Sequence, residues 1–175
     1  MREIGVIVNH LAPSQLSYIV TQQINKFGGV IFEKVRVPPI QSINGLVLPI
    51  HQINKFKGIL IATDLDSARY LVNLGNPARK IFYPWQVEWL KHGNDYLSTA
   101  KVFTDPLIEV IARSESYADQ IRLMNREPSA IIEELNFQNI QLYCNEHPEI
   151  KRYVNTREET PKRERQKECY NGHYV

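Results

Sequence analysis

Three apolar runs between residues 58 and 136 each end in a polar cluster that opens a stretch of helical character. The runs and the helices that follow them are residues 58–64 with 65–74, 80–85 with 86–92, and 107–115 with 116–124. A short buried strand followed by a crossover helix is the repeating unit of a parallel sheet. Because parallel strands point the same way, their polar ends meet along one edge, where open α/β sheets bind ligands.

The flanking segments continue this pattern on both sides. Residues 3–8 and 30–37 are predicted strands, and between them Ser14 caps a helix that runs to Lys26 and closes at Gly28. Further predicted elements are short strand 46–48, short helix 50–56, helix 96–103, strand 129–135 and a helix capped by Asn136. With right-handed crossovers, this order predicts an α/β fold with a Rossmann-like, doubly wound, mostly parallel sheet of about six strands.

Length and charge divide the chain into two parts. The length of 175 residues suits one domain, which we place at residues 1–150, followed by a charged tail at 151–175. The tail carries seven Lys/Arg and four Asp/Glu, whereas the remainder carries 14 and 15. The body is therefore not basic, and we expect no nucleic-acid binding. No apolar run approaches the ~18 residues of a membrane span, so we expect no membrane association.

Several kinds of cofactor site are missing from the sequence. Cys144 and Cys169 lack metal-site spacing, which predicts no metal site and favours a reducing, cytoplasmic setting. The loop after the first strand lacks both the Gly-x-Gly-x-x-Gly of dinucleotide sites and the Gly-Lys-Ser/Thr of phosphate loops. We therefore predict no cofactor.

Two clusters of candidate ligand-binding residues follow the first and fourth strands. His10 would contact a sugar or phosphate or act as a base beside the helix N-terminus at Ser14; the alternative is a loop histidine next to a helix cap. Thr63 and Asp64 offer a hydroxyl and a carboxylate to a ligand. The alternative there is that Asp64 or Asp66 only caps the next helix.

A third cluster contains both tryptophans of the chain. Trp85 and Trp89 are four residues apart, which on a helix places them on one face with Glu88 between them. Aromatic rings beside a carboxylate suit sugar binding, because the rings stack on sugar C–H groups. The alternative is that the pair packs in the core or in a protein interface.

A fourth cluster follows the strand at 107–112. Arg113 would clamp a phosphate or carboxylate, while Ser114 caps the next helix and Glu115 favours its positive end. An internal ion pair of Arg113 is the alternative. No Ser-His-Asp or Cys-His arrangement can be assembled from the sequence, so no catalytic residue is assigned.

These residues carry a resemblance to a known family. Residues 107–121 followed by 130–136 resemble the end of the N-terminal domain of GT-B glycosyltransferases, and residues 4–9 fit the start of that domain. The run Phe-Tyr-x-Trp-x-x-Glu-Trp-Leu at 82–90 is similar to small glycosyltransferase-like proteins of tailed phages. Their motif, Trp-Asp-Leu-Glu-Trp, has an aspartate where this chain has Gln86. The resemblance covers about residues 3–140.

The resemblance implies a sugar- or nucleotide-binding cleft at the carboxyl ends of the strands. For a protein of phage origin, it also implies a location in the host cytoplasm. Such enzymes bind the nucleotide-sugar chiefly through a C-terminal domain that these residues do not contain, so we expect a protein incomplete as a stand-alone enzyme. We expect its activity to need a second domain or subunit, or dimerisation. One alternative is a non-catalytic protein that binds a host or viral protein through the Trp85–Trp89 segment or the tail. Another is a phosphate- or nucleotide-binding protein that uses Arg113 and the helix N-termini at the carboxyl ends of the strands.

Overall fold

Seven parallel strands form one sheet in the computed structural model, which describes residues 3–39, 41–90 and 96–148. The strands are β1 Ile4–Val8, β2 Val30–Glu33, β3 Leu46–Pro49, β4 Ile59–Ala62, β5 Arg79–Phe82, β6 Ile108–Ala112 and β7 Ala130–Ile131. Their order across the sheet is β3-β2-β1-β4-β5-β6-β7, with every pair parallel. This confirms the predicted Rossmann-like α/β fold and adds a strand to the expected six.

The helices cover both faces of this sheet. They are α1 Gln15–Phe27, α2 Leu65–Asn73, α3 Tyr96–Thr104, α4 Glu115–Arg122 and α5 Phe137–Glu146. The predicted caps are confirmed: Ser14 accepts a hydrogen bond from the Ser17 N–H, and Asn136 accepts one from the Asn139 N–H. α1 ends at Gly28, whose φ of 75° is a conformation that favours glycine. None of the helices within the described ranges is long and apolar enough to cross a membrane.

The two faces of the sheet bury two separate cores. On one face, side chains such as Val6 and Ile61 pack with α1 and α5. On the other, side chains such as Ile7 and Leu60 pack with α2, α3 and α4. Strands buried on both faces read as continuous apolar runs, which is why the sequence pattern predicts them well.

The chain winds in opposite directions from the middle of the sheet. β1 leads through α1 to β2 on one side, and β4 leads through α2 to β5 on the other. β1 and β4 are neighbours, with Ile7 opposite Ala62 near their carboxyl ends. Because α1 and α2 lie on opposite faces, the helices that leave these two strands diverge and open a crevice between them.

Two predicted strands are shorter in the structure. The strand predicted at 30–37 ends at Glu33, because its neighbour β3 ends opposite it at Pro49. The strand predicted at 129–135 contains only Ala130–Ile131. The chain then turns at Glu133–Leu135, because the buried Tyr83 hydroxyl donates to the Ile132 carbonyl and accepts from the Leu135 N–H.

The helix predicted at 86–92 is wrong for the residues that the structure describes there, which form only a short 3₁₀ turn at Glu88–Leu90. The shared face expected for Trp85 and Trp89 is also wrong. Trp85 packs in the core beneath α1 and α5, whereas Trp89 packs in the core beneath α2 and α3. A helix would point both rings the same way, so burial in opposite cores requires a non-helical connection. The end of this prediction and the predicted tail lie outside the described residues.

Candidate functional site

A cleft of about 230 Å³ opens at the carboxyl ends of β1, β2 and β4. β1 and the loop after it contribute Val8, Asn9 and His10, and α1 with its cap contributes Ser14, Leu16 and Ser17. The opposite wall carries Lys34, Asp64, Asp66 and Glu88. This cleft lies at the point where the strand order reverses, which is where open α/β sheets bind ligands.

Asp64 organises the charged wall of the cleft. It is the N-cap of α2: its Oδ1 accepts from the Ser67 N–H at 2.8 Å, and its Oδ2 accepts from the Ser67 hydroxyl at 2.6 Å. Lys34 Nζ lies 3.4 Å from Asp64 Oδ1. Of the two aspartates considered as caps, Asp64 therefore takes that role, while its carboxylate still lines the cleft.

Glu88 reaches the same helix from the loop after β5. Its Oε2 accepts a hydrogen bond from the Leu65 N–H at 3.0 Å. Two carboxylates from different elements thus bind the first turn of α2, where N–H groups lack helical partners. Asp66 also lies in that turn; its Oδ1 accepts from Arg69 Nη1 at 3.1 Å, and its side chain is 76% exposed.

The wall formed by α1 is neutral. Ser14 Oγ accepts from the Ser17 N–H at 3.0 Å and donates to Ser17 Oγ at 2.9 Å. The Ala12 N–H donates to His10 Nδ1 at 3.2 Å, so the proton of the neutral imidazole lies on Nε2. The cleft therefore combines three carboxylates and one ammonium group with hydroxyls and an imidazole N–H donor.

Of the predicted site residues, the structure brings His10, Ser14, Asp64 and Glu88 together in the cleft. Thr63 lies below it, buried, with its hydroxyl donating to the Ile7 carbonyl at 3.1 Å. That bond joins β4 to β1 and supports the base of the cleft. Trp85 and Trp89 are both buried and lie outside the cleft lining.

The Arg113 cluster lies two strands away, at the carboxyl end of β6. Arg113 Cζ stands 4.1 Å from the ring centroid of Trp85 and 5.1 Å from that of Tyr117. Its Nη1 donates to the Trp85 carbonyl at 3.1 Å. Ser114 caps α4, and Glu115 Oε2 lies 3.6 Å from Arg122 Nη1. The Arg113 guanidinium thus holds the loop after β5 and is not among the residues that line the cleft.

Arg113→Met is expected to lower the free energy of unfolding by about 1–2 kcal/mol, since it removes a cation–π contact and a hydrogen bond. Urea denaturation measures this loss. Binding in the cleft should keep its affinity in the variant. Lost binding at unchanged stability would instead place Arg113 in the ligand site.

Lys34, Asp66 and Ser17 line the cleft but are missing from the predicted set. The sequence does not predict Lys34 as a site residue because the strand pattern continues to residue 37. In the structure β2 ends at Glu33, which places Lys34 at the carboxyl end of that strand. Asp66 and Ser17 follow helix caps by two and three residues. The sequence therefore contains a signal for Asp66 and Ser17, because polar residues in the first helical turn after a predicted cap lie close to the carboxyl ends of the strands.

Within residues 3–39, 41–90 and 96–148, no group of three or more His, Cys, Asp or Glu side chains is arranged to hold a metal ion.

Comparison of the chain with protein-family models, with curated proteins and with solved structures finds no match in any of the three. The site is therefore interpreted from its own geometry.

Proposed function

We propose that the cleft between β1 and β4 binds a small hydroxylated molecule, a monosaccharide or a nucleoside. The observation that carries this proposal is the placement of Asp64, Asp66 and Glu88 around one crevice at the switch point of the sheet. Carboxylates accept strong hydrogen bonds from hydroxyl groups, because the acceptor is charged. On the facing wall, the hydroxyl of Ser17, which accepts from Ser14 Oγ, and the His10 Nε2–H add donors.

The size of the cleft supports a ligand of this class. Its volume of about 230 Å³ lies below the ~300–1,000 Å³ of pockets that hold drug-sized ligands. A dinucleotide or an intact nucleotide-sugar is larger than this space. A single sugar ring or a nucleoside is in better proportion to it.

The charge of the cleft disfavours a phosphate-bearing ligand. Three carboxylates face one ammonium group, and that ammonium is already paired with Asp64 at 3.4 Å. The N–H groups of Ser17, Leu65 and Ser67, which a helix N-terminus would offer to a phosphate, are bound by Ser14, Glu88 and Asp64. The Arg113 guanidinium likewise contacts Trp85. The two features that favour a phosphate site in the sequence, this guanidinium and the helix N-termini, therefore already have partners within the fold.

The test is ligand binding by the full chain and by two matched aspartate variants. Asp66 and Asp119 are both exposed, and each pairs with an arginine three residues later, at 3.1 and 2.8 Å. Only Asp66 lines the cleft. We expect Asp66→Asn to weaken binding of a monosaccharide or nucleoside about tenfold, the value of a hydrogen bond to a charged group, and Asp119→Asn to leave it unchanged.

Thermal unfolding in the presence of nucleosides and monosaccharides provides the screen, followed by calorimetry on those that bind. A ligand at ~100 times its Kd adds ~2.7 kcal/mol of stability. Equal weakening by Asp66→Asn and Asp119→Asn would show a general charge effect and contradict the proposal. No stabilisation by any member of either class at millimolar concentration would also contradict it.

A further inference from the structure

One of the three carboxylates that line the cleft has no cationic partner. Lys34 Nζ lies 3.4 Å from Asp64 Oδ1, and Arg69 Nη1 lies 3.1 Å from Asp66 Oδ1. Glu88 lines the same cleft, yet no lysine, arginine or histidine of the described ranges forms an ion pair with it. Its side chain is half-buried, so water solvates this negative charge only in part.

The carboxylate of Glu88 has one oxygen in use and one available. Oε2 accepts from the Leu65 N–H at 3.0 Å, which fixes the side chain against the first turn of α2. Within the part of the chain that the structure describes, Oε1 has no hydrogen-bond partner. The available oxygen therefore belongs to a side chain that is already positioned, and a ligand that binds it spends little free energy on ordering that side chain.

The positive charges near Glu88 do not balance it. A helix N-terminus carries about half an elementary charge, and at α2 that half charge is shared between Asp64 and Glu88, which both accept from its N–H groups. Lys34 adds a full charge, but its ammonium group contacts Asp64. The partial charge of α1 acts within its own first turn, on the opposite wall. A negative charge therefore remains at Glu88.

We propose that the ligand of the cleft carries an ammonium group, which Glu88 binds through Oε1. This inference rests on the proposed function and narrows its ligand class to an amino sugar or an aminonucleoside. A hydroxyl would satisfy the oxygen but leave the charge unbalanced, whereas an ammonium group does both through a charge-assisted hydrogen bond. Repulsion by Lys34 disfavours a ligand cation beside Asp64, which directs the ammonium group to Glu88.

Glu115 provides a matched comparison outside the cleft. It also lies in the first turn of a helix, α4, where a carboxylate stabilises the positive end. Arg122 Nη1 lies 3.6 Å from its Oε2, so this glutamate has a cation from the protein. The two glutamates thus occupy the same place relative to a helix, and the one that lines the cleft is the one without a cation.

The experiment compares ligands that differ by one amino group. The probes are glucosamine against glucose and 5′-amino-5′-deoxyadenosine against adenosine, which separate an amino sugar from an aminonucleoside as the source of the ammonium group. Calorimetry with the full chain, at about pH 7, where such an amine is mostly protonated, should show about fivefold tighter binding of the aminated member of at least one pair. Glu88→Gln should reduce that preference to within about twofold, while Glu115→Gln retains it.

The glutamine variant isolates the charge, because its amide oxygen can still accept from the Leu65 N–H. A salt titration of the wild type supplies a second readout that does not depend on the folding of any variant. Raising the ionic strength from about 0.01 to 1 M shortens the Debye length from ~30 to ~3 Å. The preference for the aminated probe should shrink over that range, because it comes from a charge pair.

A preference that persists in Glu88→Gln, that Glu115→Gln removes equally, or that salt does not weaken would overturn the inference. If the wild type binds glucose or adenosine, Asp66→Asn weakens that binding and the amino group adds no affinity, only the inference about the ammonium group fails. If the wild type binds none of the four probes, both the inference and the proposed function fail.

Discussion

Arg79→Met is expected to lower the free energy of unfolding by about 3–5 kcal/mol, because it leaves the buried carboxylate of Glu109 without its counter-charge. In the wild type, Arg79 Nε lies 2.6 Å from Glu109 Oε1, and Nη2 lies 2.7 Å from Oε2. The third nitrogen, Nη1, donates to the Cys144 carbonyl at 2.6 Å. Arg79 thus joins β5, β6 and α5 through one guanidinium group.

The surroundings of this ion pair explain the size of the expected loss. Arg79 and Glu109 are 8% and 3% exposed, so water cannot replace the missing partner. Arg79 also stacks over the Tyr143 ring, with Cζ 5.4 Å from the centroid. Burial, followed by the charge of Glu109, raises the pKa of Tyr143 to about 12. Removing the arginine therefore leaves the Glu109 carboxylate buried without its counter-charge.

Urea denaturation of three variants tests this expectation. Arg79→Met combined with Glu109→Met should be less destabilised than Arg79→Met alone, since no unpaired charge remains. Arg122→Met is the control: this arginine also contacts carboxylates, those of Glu115, Asp119 and Glu127, but at the surface. Its loss should cost far less than the loss of Arg79, because water solvates the carboxylates that an exposed arginine leaves behind. Equal losses for Arg79→Met and Arg122→Met would contradict the assigned role.

The sequence contains a partial signal for this ion pair. Glu109 is the single charged residue within an otherwise apolar strand, and Arg79 immediately precedes the run predicted to start at residue 80. A charge inside a buried strand needs a partner, but the identity of the partner depends on which strands are neighbours. That information comes from the sheet order and not from any local pattern.

The order of strands and helices could be predicted from the sequence because each unit repeats the same local pattern. Two segments could not, because tertiary contacts override local preference there. Trp85 and Trp89 have helical spacing, but burial in opposite cores prevents the helix. The apolar residues at 130–132 continue into Glu133 and Glu134, where the Tyr83 hydroxyl holds the chain in a turn with φ of 56° at Glu134.

The candidate site was predictable to the extent that it depends on strand ends. His10, Ser14, Asp64 and Glu88 follow β1, β4 and β5, so the direction of the parallel strands alone brings them to one edge. The same argument placed Arg113 there, yet the cleft forms only where the helices diverge between β1 and β4. In the sheet, β5 lies between β4 and β6, so Arg113 at the end of β6 is not among the residues that line the cleft. Predicting which strand ends share a cleft therefore requires the strand order.

Tyr83→Phe is expected to lower the free energy of unfolding by about 2–4 kcal/mol, because two buried backbone groups lose their partner and each costs ~1–3 kcal/mol. The hydroxyl donates to the Ile132 carbonyl at 2.7 Å and accepts from the Leu135 N–H at 2.9 Å. The side chain is fully buried, so the ring of phenylalanine fills the same space. The loss therefore reports the hydrogen bonds and not the packing.

The pH dependence of this loss is a second test of the same hydroxyl. Burial raises the pKa of Tyr83 from 10.0 to about 12, so the folded state keeps its proton where the unfolded chain has lost it. The stabilisation is thus complete below pH 10 and disappears as the pH rises toward 12. The stability difference between wild type and Tyr83→Phe should shrink over that interval in urea titrations.

Tyr18→Phe, which changes a half-exposed tyrosine bound to Gln22, should differ from wild type by no more than about 0.5 kcal/mol at any of these pH values. A difference for Tyr83→Phe that stayed constant from pH 9 to 12 would show that the hydroxyl titrates at its ordinary pKa, with the proton no better held in the fold than in water.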